Sequence, residues 1–169
     1  GNRQLMFYTT YKGMGIALKN KPNEHSIILY STYSVLLAKQ GLFAEANAFA
    51  KTTLSLLERH PQCADKAYVY MVLGSFVWFY KHSFRDAVDL QLLAHESGYE
   101  YGDIGRGVFA GLSNSMLNLF AQGLPLDQLE LQSKKLAVIV QQYDIKPLGG
   151  SHYAQLIAML RSSTSKNLL

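Results

Sequence analysis

Apolar positions recur with the period of a helix along most of this chain, and the period breaks down in one stretch. AYVYMVLGSFVWFY, from Ala67 to Tyr80, is apolar on every side except at Gly74 and Ser75. A helix without a polar face has to be enclosed by neighbours. The stretch is shorter than the roughly 20 residues that cross a bilayer, and Asp65 and Lys66 before it and Lys81 and His82 after it mark its ends. It is expected to be the central buried helix of a soluble domain, with the helix starting near Ala64.

The flanking segments read as helices with one apolar face each. From Gln4 to Asn20, the residues Phe7, Tyr11, Met14 and Leu18 follow steps of four, three and four. Pro22 breaks this helix, and Asn23 can cap the next, with Glu24 in its first turn. That second helix runs to Gln40, turns Ile27, Tyr30, Tyr33, Leu36 and Leu37 inward, and stops at Gly41, a residue suited to a left-handed cap. A third, Phe43 to about Arg59, has Phe43, Ala46, Phe49 or Ala50, Leu54 and Leu57 as its stripe and ends at Pro61. Ser83 is a fair N-cap for a fifth helix, with Asp86 where a capping box places its acid. This one packs through Phe84, Ala87, Leu90 and Ala94 and ends between Gly98 and Gly102. Asp103 is expected to cap a sixth, with Val108, Phe109, Leu112, Met116, Leu119 and Phe120 on its apolar face, and Gly123 stops it. Pro125 opens a seventh, with stripe Leu126, Leu129, Leu136 and Ile139, lasting to about Tyr143. After the turn DIKPLGG, Ser151 to Arg161 reads as a last helix, followed by a frayed tail.

The helix starts repeat. LFAEANAFAKTTL at Leu42, SFRDAVDLQLLAH at Ser83 and PLDQLELQSKKLA at Pro125 lie 41 and then 42 residues apart. In each copy a large apolar residue (Phe43, Phe84, Leu126) precedes a polar one by two (Glu45, Asp86, Gln128), and Ala46, Ala87 or Leu129 comes next. The period exceeds the usual 34 residues of tetratricopeptide repeats, so the expected fold is all-α and tetratricopeptide-like: a right-handed superhelical stack of helical hairpins, with seven to eight helices in a single domain over residues 1–169. In such a stack the first helix of each pair lines the concave face. Those helices, Glu24 to Gln40, Ala64 to Lys81 and Asp103 to Gln122, carry Tyr30, Tyr33, Tyr68, Tyr70, Trp78, Asn114 and Asn118. Amphipathic groups of this kind can pack against a partner and hydrogen-bond to it, and they form the candidate interaction groove.

Composition narrows the picture. With 49% hydrophobic and 17% charged residues, the chain folds and has few charges with which to solvate its surface, so some apolar surface is expected to meet a protein partner, a second copy included. The net charge of +4 is spread out, the densest basic groups being Lys12, Lys19 and Lys21 and the pair Lys134 and Lys135. Nucleic-acid binding needs a concentrated stripe and is not expected; neither is a membrane, since no apolar run of spanning length or lipidation signal occurs. This favours the cytoplasm. A single cysteine, Cys63, rules out an internal disulfide and a multi-cysteine zinc site, and is expected to be partly buried near a helix start. Gly1 in place of Met suggests an excised fragment of a longer protein.

Candidate chemistry is sparse. GRGVFA, Gly105 to Ala110, has the letters of a dinucleotide fingerprint without the preceding strand that the motif needs; close helix packing is the better reading. GLSNS, Gly111 to Ser115, lacks the last glycine of a nucleophile elbow, leaving Ser113 and Ser115 as surface or groove hydroxyls. No two of His25, His60, His82, His95 and His152 have the spacing of ligands on one helix face, and His60 and His82 suit helix C-termini. No cofactor, metal or catalytic residue is expected.

The run from about Leu18 to Leu160 resembles the helical, tetratricopeptide-like region of large bacterial multidomain sensor histidine kinases. The resemblance is carried by LSLLER (Leu54 to Arg59), GSFVWFYKHSFRDAVDL (Gly74 to Leu90), HESGYEYGD (His95 to Asp103) and FAQGLPLDQLE (Phe120 to Glu130). In that family a kinase-like domain and an AAA-type ATPase precede this region, and GAF and histidine-kinase modules follow. Their ATP sites and phospho-accepting histidine lie outside it, so no catalytic residue carries over, and this chain holds no trace of those domains. The resemblance implies a non-catalytic interaction or signal-relay module of a cytoplasmic two-component protein. Two other classes stand beside it: an effector-binding helical arm of a transcriptional activator, and a small enzyme whose site is built from distant residues.

Overall fold

The computed structural model describes residues 3–20, 22–144, 155 and 157–162. Among the described residues the chain is all helical, with no strand. Helix α1 (Arg3–Ala17) leads through a 3-10 turn (Glu24–Ser26) into α2 (Ile27–Lys39); α3 (Phe43–Arg59), α4 (Lys66–Phe76) and a second 3-10 turn (Trp78–Tyr80) follow. Then come α5 (Phe84–Tyr101), a π-helical segment (Gly105–Ala110) continuous with α6 (Gly111–Ala121), and α7 (Leu126–Gln142). Residues 157–162 are helical too.

Local chemistry sets these boundaries. Asn23 caps the first 3-10 turn in a reciprocal box with Ser26, each side chain bonding the other's backbone N–H. Ser83 and Asp86 do the same for α5: the Ser83 N–H donates to Asp86 Oδ2 at 3.0 Å and the Asp86 N–H to Ser83 Oγ at 3.1 Å. Gly41, Gly102 and Gly123 end α2, α5 and α6 with φ of 79°, 74° and 78°, the left-handed conformation that a side chain disfavours. All three stops fall where the sequence places them. Asp103 stands at the expected cap position, directly before helical Ile104, and its carbonyl accepts from the Gly107 N–H, while its carboxylate pairs with Arg106 at 3.5 Å.

Helices pack in chain order. α2 lies against α1, α3 and α4; α4 packs most extensively against α5 and also meets the π segment; α6 lies between α5 and α7. The larger core joins Met14, Ile27, Tyr30, Leu37, Ala46, Ala50, Leu57, Cys63, Val69, Leu73, Val77 and Leu90. A smaller one joins Met116, Leu129, Leu136 and Ile157. Between them α5 and the π segment approach so closely that a Cβ on Gly107 would sit 2.4 Å from the Gly98 Cα and 2.6 Å from the Ala94 carbonyl oxygen. Only glycine fits there. GRGVFA is a packing motif, as its context in the sequence suggests.

The enclosure expected for Ala67 to Tyr80 is incomplete. Ala67, Val69, Val72, Leu73, Gly74 and Val77 are buried, but Phe76 and Tyr80 are 50% and 45% exposed. The α-helix ends at Phe76, and the backbone passes through buried Val77 (φ −132°) into the 3-10 turn, where Trp78 packs on the core and Tyr80 faces solvent. Five further stripe residues are exposed: Tyr11, Leu18, Phe43, Phe84 and Phe120. Phe43 and Phe84 open their helices and stack there on Tyr80 (4.3 Å between ring centroids) and Phe79 (5.9 Å). Leu18 falls past the end of α1. Cys63, expected at partial burial, is 1% exposed in the turn between α3 and α4, where burial pushes its thiol pKa up. Of the last predicted helix, 155 and 157–162 are helical; its other residues, the Phe109 side chain, residues 145–150 of the turn before it and the tail from Ser163 lie outside the described residues.

Candidate functional site

The expected groove residues do not share one environment. Tyr30, Tyr33, Tyr68, Tyr70 and Trp78 all pack on the larger core. Tyr30 is 5% exposed and, like Tyr33, leans on Phe49, with centroids 5.7 and 4.9 Å away. Tyr33 also meets Tyr11 edge-on. Tyr68 is half-buried beneath the Arg106 guanidinium, 5.2 Å from the ring centroid. Trp78 stacks flat on His82, whose Nε2 bonds Asn47 Oδ1 at 2.8 Å and so ties the end of α4 to α3. Asn114 and Asn118 lie apart on α6, half-buried and buried.

A concave feature among the described residues lies elsewhere, between α5, α6 and α7. It is a cleft of about 330 Å³. α5 contributes Val88, Leu92 and His95 at steps of four and three, the spacing of one helix face. α6 contributes Leu112, Ser115, Met116 and Leu119, and α7 contributes Gln132, Lys135, Leu136 and Ile139, both at steps of three, one and three. Gly98, Gly107 and Gly111 draw the π segment and the start of α6 onto α5 backbone to backbone.

The walls are mainly aliphatic, with two buried polar atoms on them that lack a hydrogen-bond partner, His95 Nδ1 and Ser115 Oγ. Desolvation lowers the His95 pKa, outweighing the nearby Glu96 carboxylate, which favours the neutral ring with one donor and one acceptor nitrogen. Ser115 is 4% exposed. Ser113 and Ser115 are both buried, so neither is a surface hydroxyl, and Ser115 belongs to the residues that line the cleft. Neither unpaired atom bonds the other, so there is no assembled nucleophile and base at this site. Among the described residues, no group of three or more His, Cys, Asp or Glu is placed to hold a metal ion, and no helix is long and apolar enough to cross a membrane.

His95 and Ser115 escape a reading of the sequence because they sit on different helices with no motif between them. The signal that could have found them is the matched step pattern of α6 and α7 with a serine inside one stripe. Comparisons with protein-family models, with curated proteins and with solved structures gave no match. The functional reading therefore rests on the chain's own geometry and on the resemblance described above.

Proposed function

We propose that this chain is a non-catalytic helical-hairpin module that relays signals through protein contacts within a larger cytoplasmic signalling protein, in the manner of the tetratricopeptide-like region of bacterial sensor histidine kinases. In this reading α2 with α3, α4 with α5 and α6 with α7 form successive hairpins of a right-handed stack. Tyr33, Tyr68, Tyr70, Trp78 and Asn114 are its partly accessible contact residues, with Tyr30 and Asn118 buried behind them.

The observation that carries the proposal is the outer face of the first helix. Leu5, Tyr8 and Ile16 on one side of α1 are 58%, 60% and 64% exposed, with the Lys12 ammonium over the Tyr8 ring, while Met14 on the opposite side is buried against α2. A helix that exposes large apolar side chains opposite its buried side is suited to lie between two neighbours. The test is a photocrosslinking residue at Tyr8 in the native full-length protein. Crosslinks from Tyr8 to one defined segment of the same polypeptide or a partner subunit, with none from exposed Lys51, are the expected result. Equal or absent crosslinking at both positions, or a native polypeptide no larger than 18.9 kDa on an immunoblot, would overturn the reading.

A further inference from the structure

We propose that the groove between α1 and the end of α2 receives the outer face of α5 from a second copy of this chain, with Leu93 entering the groove and Glu96 meeting Lys39. The groove encloses about 280 Å³ and is lined by Phe7 and Tyr11 from α1 and by Leu36, Lys39 and Gln40 from the end of α2. Contacts across it tie the two helices together: the Lys39 ammonium stands 5.9 Å from the centroid of the Phe7 ring, and the Gln40 side-chain amide donates to the Tyr11 hydroxyl oxygen. Leu36 is buried and gives the groove an apolar floor, while Tyr11, Lys39 and Gln40 are exposed and reach whatever arrives from solvent.

Charge selects the occupant. The first 44 residues carry five basic side chains, Arg3, Lys12, Lys19, Lys21 and Lys39, against one acid, Glu24, and the rest of the chain balances eleven against eleven. The whole net charge of +4 therefore lies in the segment that builds the groove. The complementary surface is on α5, where Asp89, Leu93, Glu96 and Glu100 follow steps of four, three and four along one helix face. All four are exposed, Leu93 to 41%, and Ala87, Leu90 and Ala94 are buried on the other side. Among the described residues none of these three acids forms an ion pair, and neither does Lys12 or Lys39. Within one copy both surfaces stay open, an apolar side chain among unpaired acids on one and an apolar groove beside an unpaired lysine on the other. Opposite potentials of this kind fix which faces of two molecules meet.

The inference rests on the reading above only in taking the chain as a protein-contact module. The experiment is sedimentation of the full chain over a range of concentrations at about 0.05 M and about 0.5 M salt. Association that grows with concentration at the lower salt and weakens at the higher is expected. Lys39→Glu and Glu96→Lys should each weaken it about tenfold, because a like-charge pair replaces an attraction, and Leu93→Ala should weaken it as well. All three positions are exposed, and thermal melts verify that each variant folds. A mixture of the Lys39→Glu and Glu96→Lys chains should associate again, a recovery that damage to either fold cannot produce. The inference is overturned if the chain stays monomeric at every concentration, which leaves the groove to a different protein, if association survives both charge reversals, or if the folded variants fail to associate when mixed. Crosslinking from Tyr8 to another segment without self-association would remove this inference and leave the contact role of α1 standing.

Discussion

Replacing Gly107 by alanine separates two arguments that point in opposite directions. Helix propensity alone favours the change, because alanine in a helix is better than glycine by about 1 kcal/mol. Packing opposes it. The new methyl would stand 2.4 Å from the Gly98 Cα, 2.6 Å from the Ala94 carbonyl oxygen and 2.9 Å from the Gly98 nitrogen, all backbone atoms of α5 that no side-chain rotation can move. Overpacking costs typically about 1–3 kcal/mol, and a contact with backbone alone belongs at the upper end, which leaves a net loss of about 2 kcal/mol. For a chain of this length each kcal/mol shifts the melting temperature by roughly 2–4 °C, so Gly107→Ala should melt about 4–8 °C lower. Gly98→Ala meets the same contact from the other side, its Cβ 2.6 Å from the Gly107 Cα. The double variant should therefore lose less than the sum of the two, since the first methyl has already parted the helices. Urea unfolding followed by circular dichroism reads the loss as a shift of midpoint at constant slope. A Gly107→Ala protein as stable as the parent would refute the close approach of α5 and the π segment.

Gly15→Ala should act in the opposite sense, because a Cβ there meets nothing within 4 Å; a gain of about 0.5–1 kcal/mol is expected in the same urea experiment. Ser83→Ala removes half of the reciprocal cap on α5 and should cost about 1 kcal/mol, with Ser83→Thr restoring most of it. Burial lowers the folded-state pKa of His95 below its ordinary 6.5, so the unfolded chain binds a proton more readily. The stability this contributes is complete above pH 6.5 and is lost as the pH falls through the folded-state value. His95→Gln should flatten the dependence of the urea midpoint on pH in that acid range, and an unchanged slope would mean that His95 titrates as if exposed.

What could be read from the sequence was local. Caps and stops such as Ser83 with Asp86, Gly41 and Gly123 are fixed by a few neighbouring residues, and the structure has them in place. Apolar period was a weaker guide at helix ends: Phe43 and Phe84 carry the right spacing yet stay exposed, because spacing along one helix says nothing of what packs against it. The same gap explains Phe76 and Tyr80, which are apolar in sequence yet find no neighbour to cover them. The cleft was the least legible feature. It lies among three helices, a relation between distant segments that appears only once the helices are assembled.

The two cores are very unequal, and this grades the cohesion of the chain from one end to the other. Ile27, Leu57, Val69 and Leu73 lock α2 to α4 into one block, while α7 is held mainly by Leu129 and Leu136 against Met116 and Ile157. Exposed ion pairs of Arg161 with Asp127 and Glu130 add little to that hold. Amide hydrogens of α7 should consequently exchange through partial openings well before those of α2 and α4, which wait for global unfolding. One wall of the cleft thus belongs to a helix held by a small core, and the others to α5 and α6. A molecule seated between them would act as a clasp, and its grip would register as slowed exchange along the whole of α7.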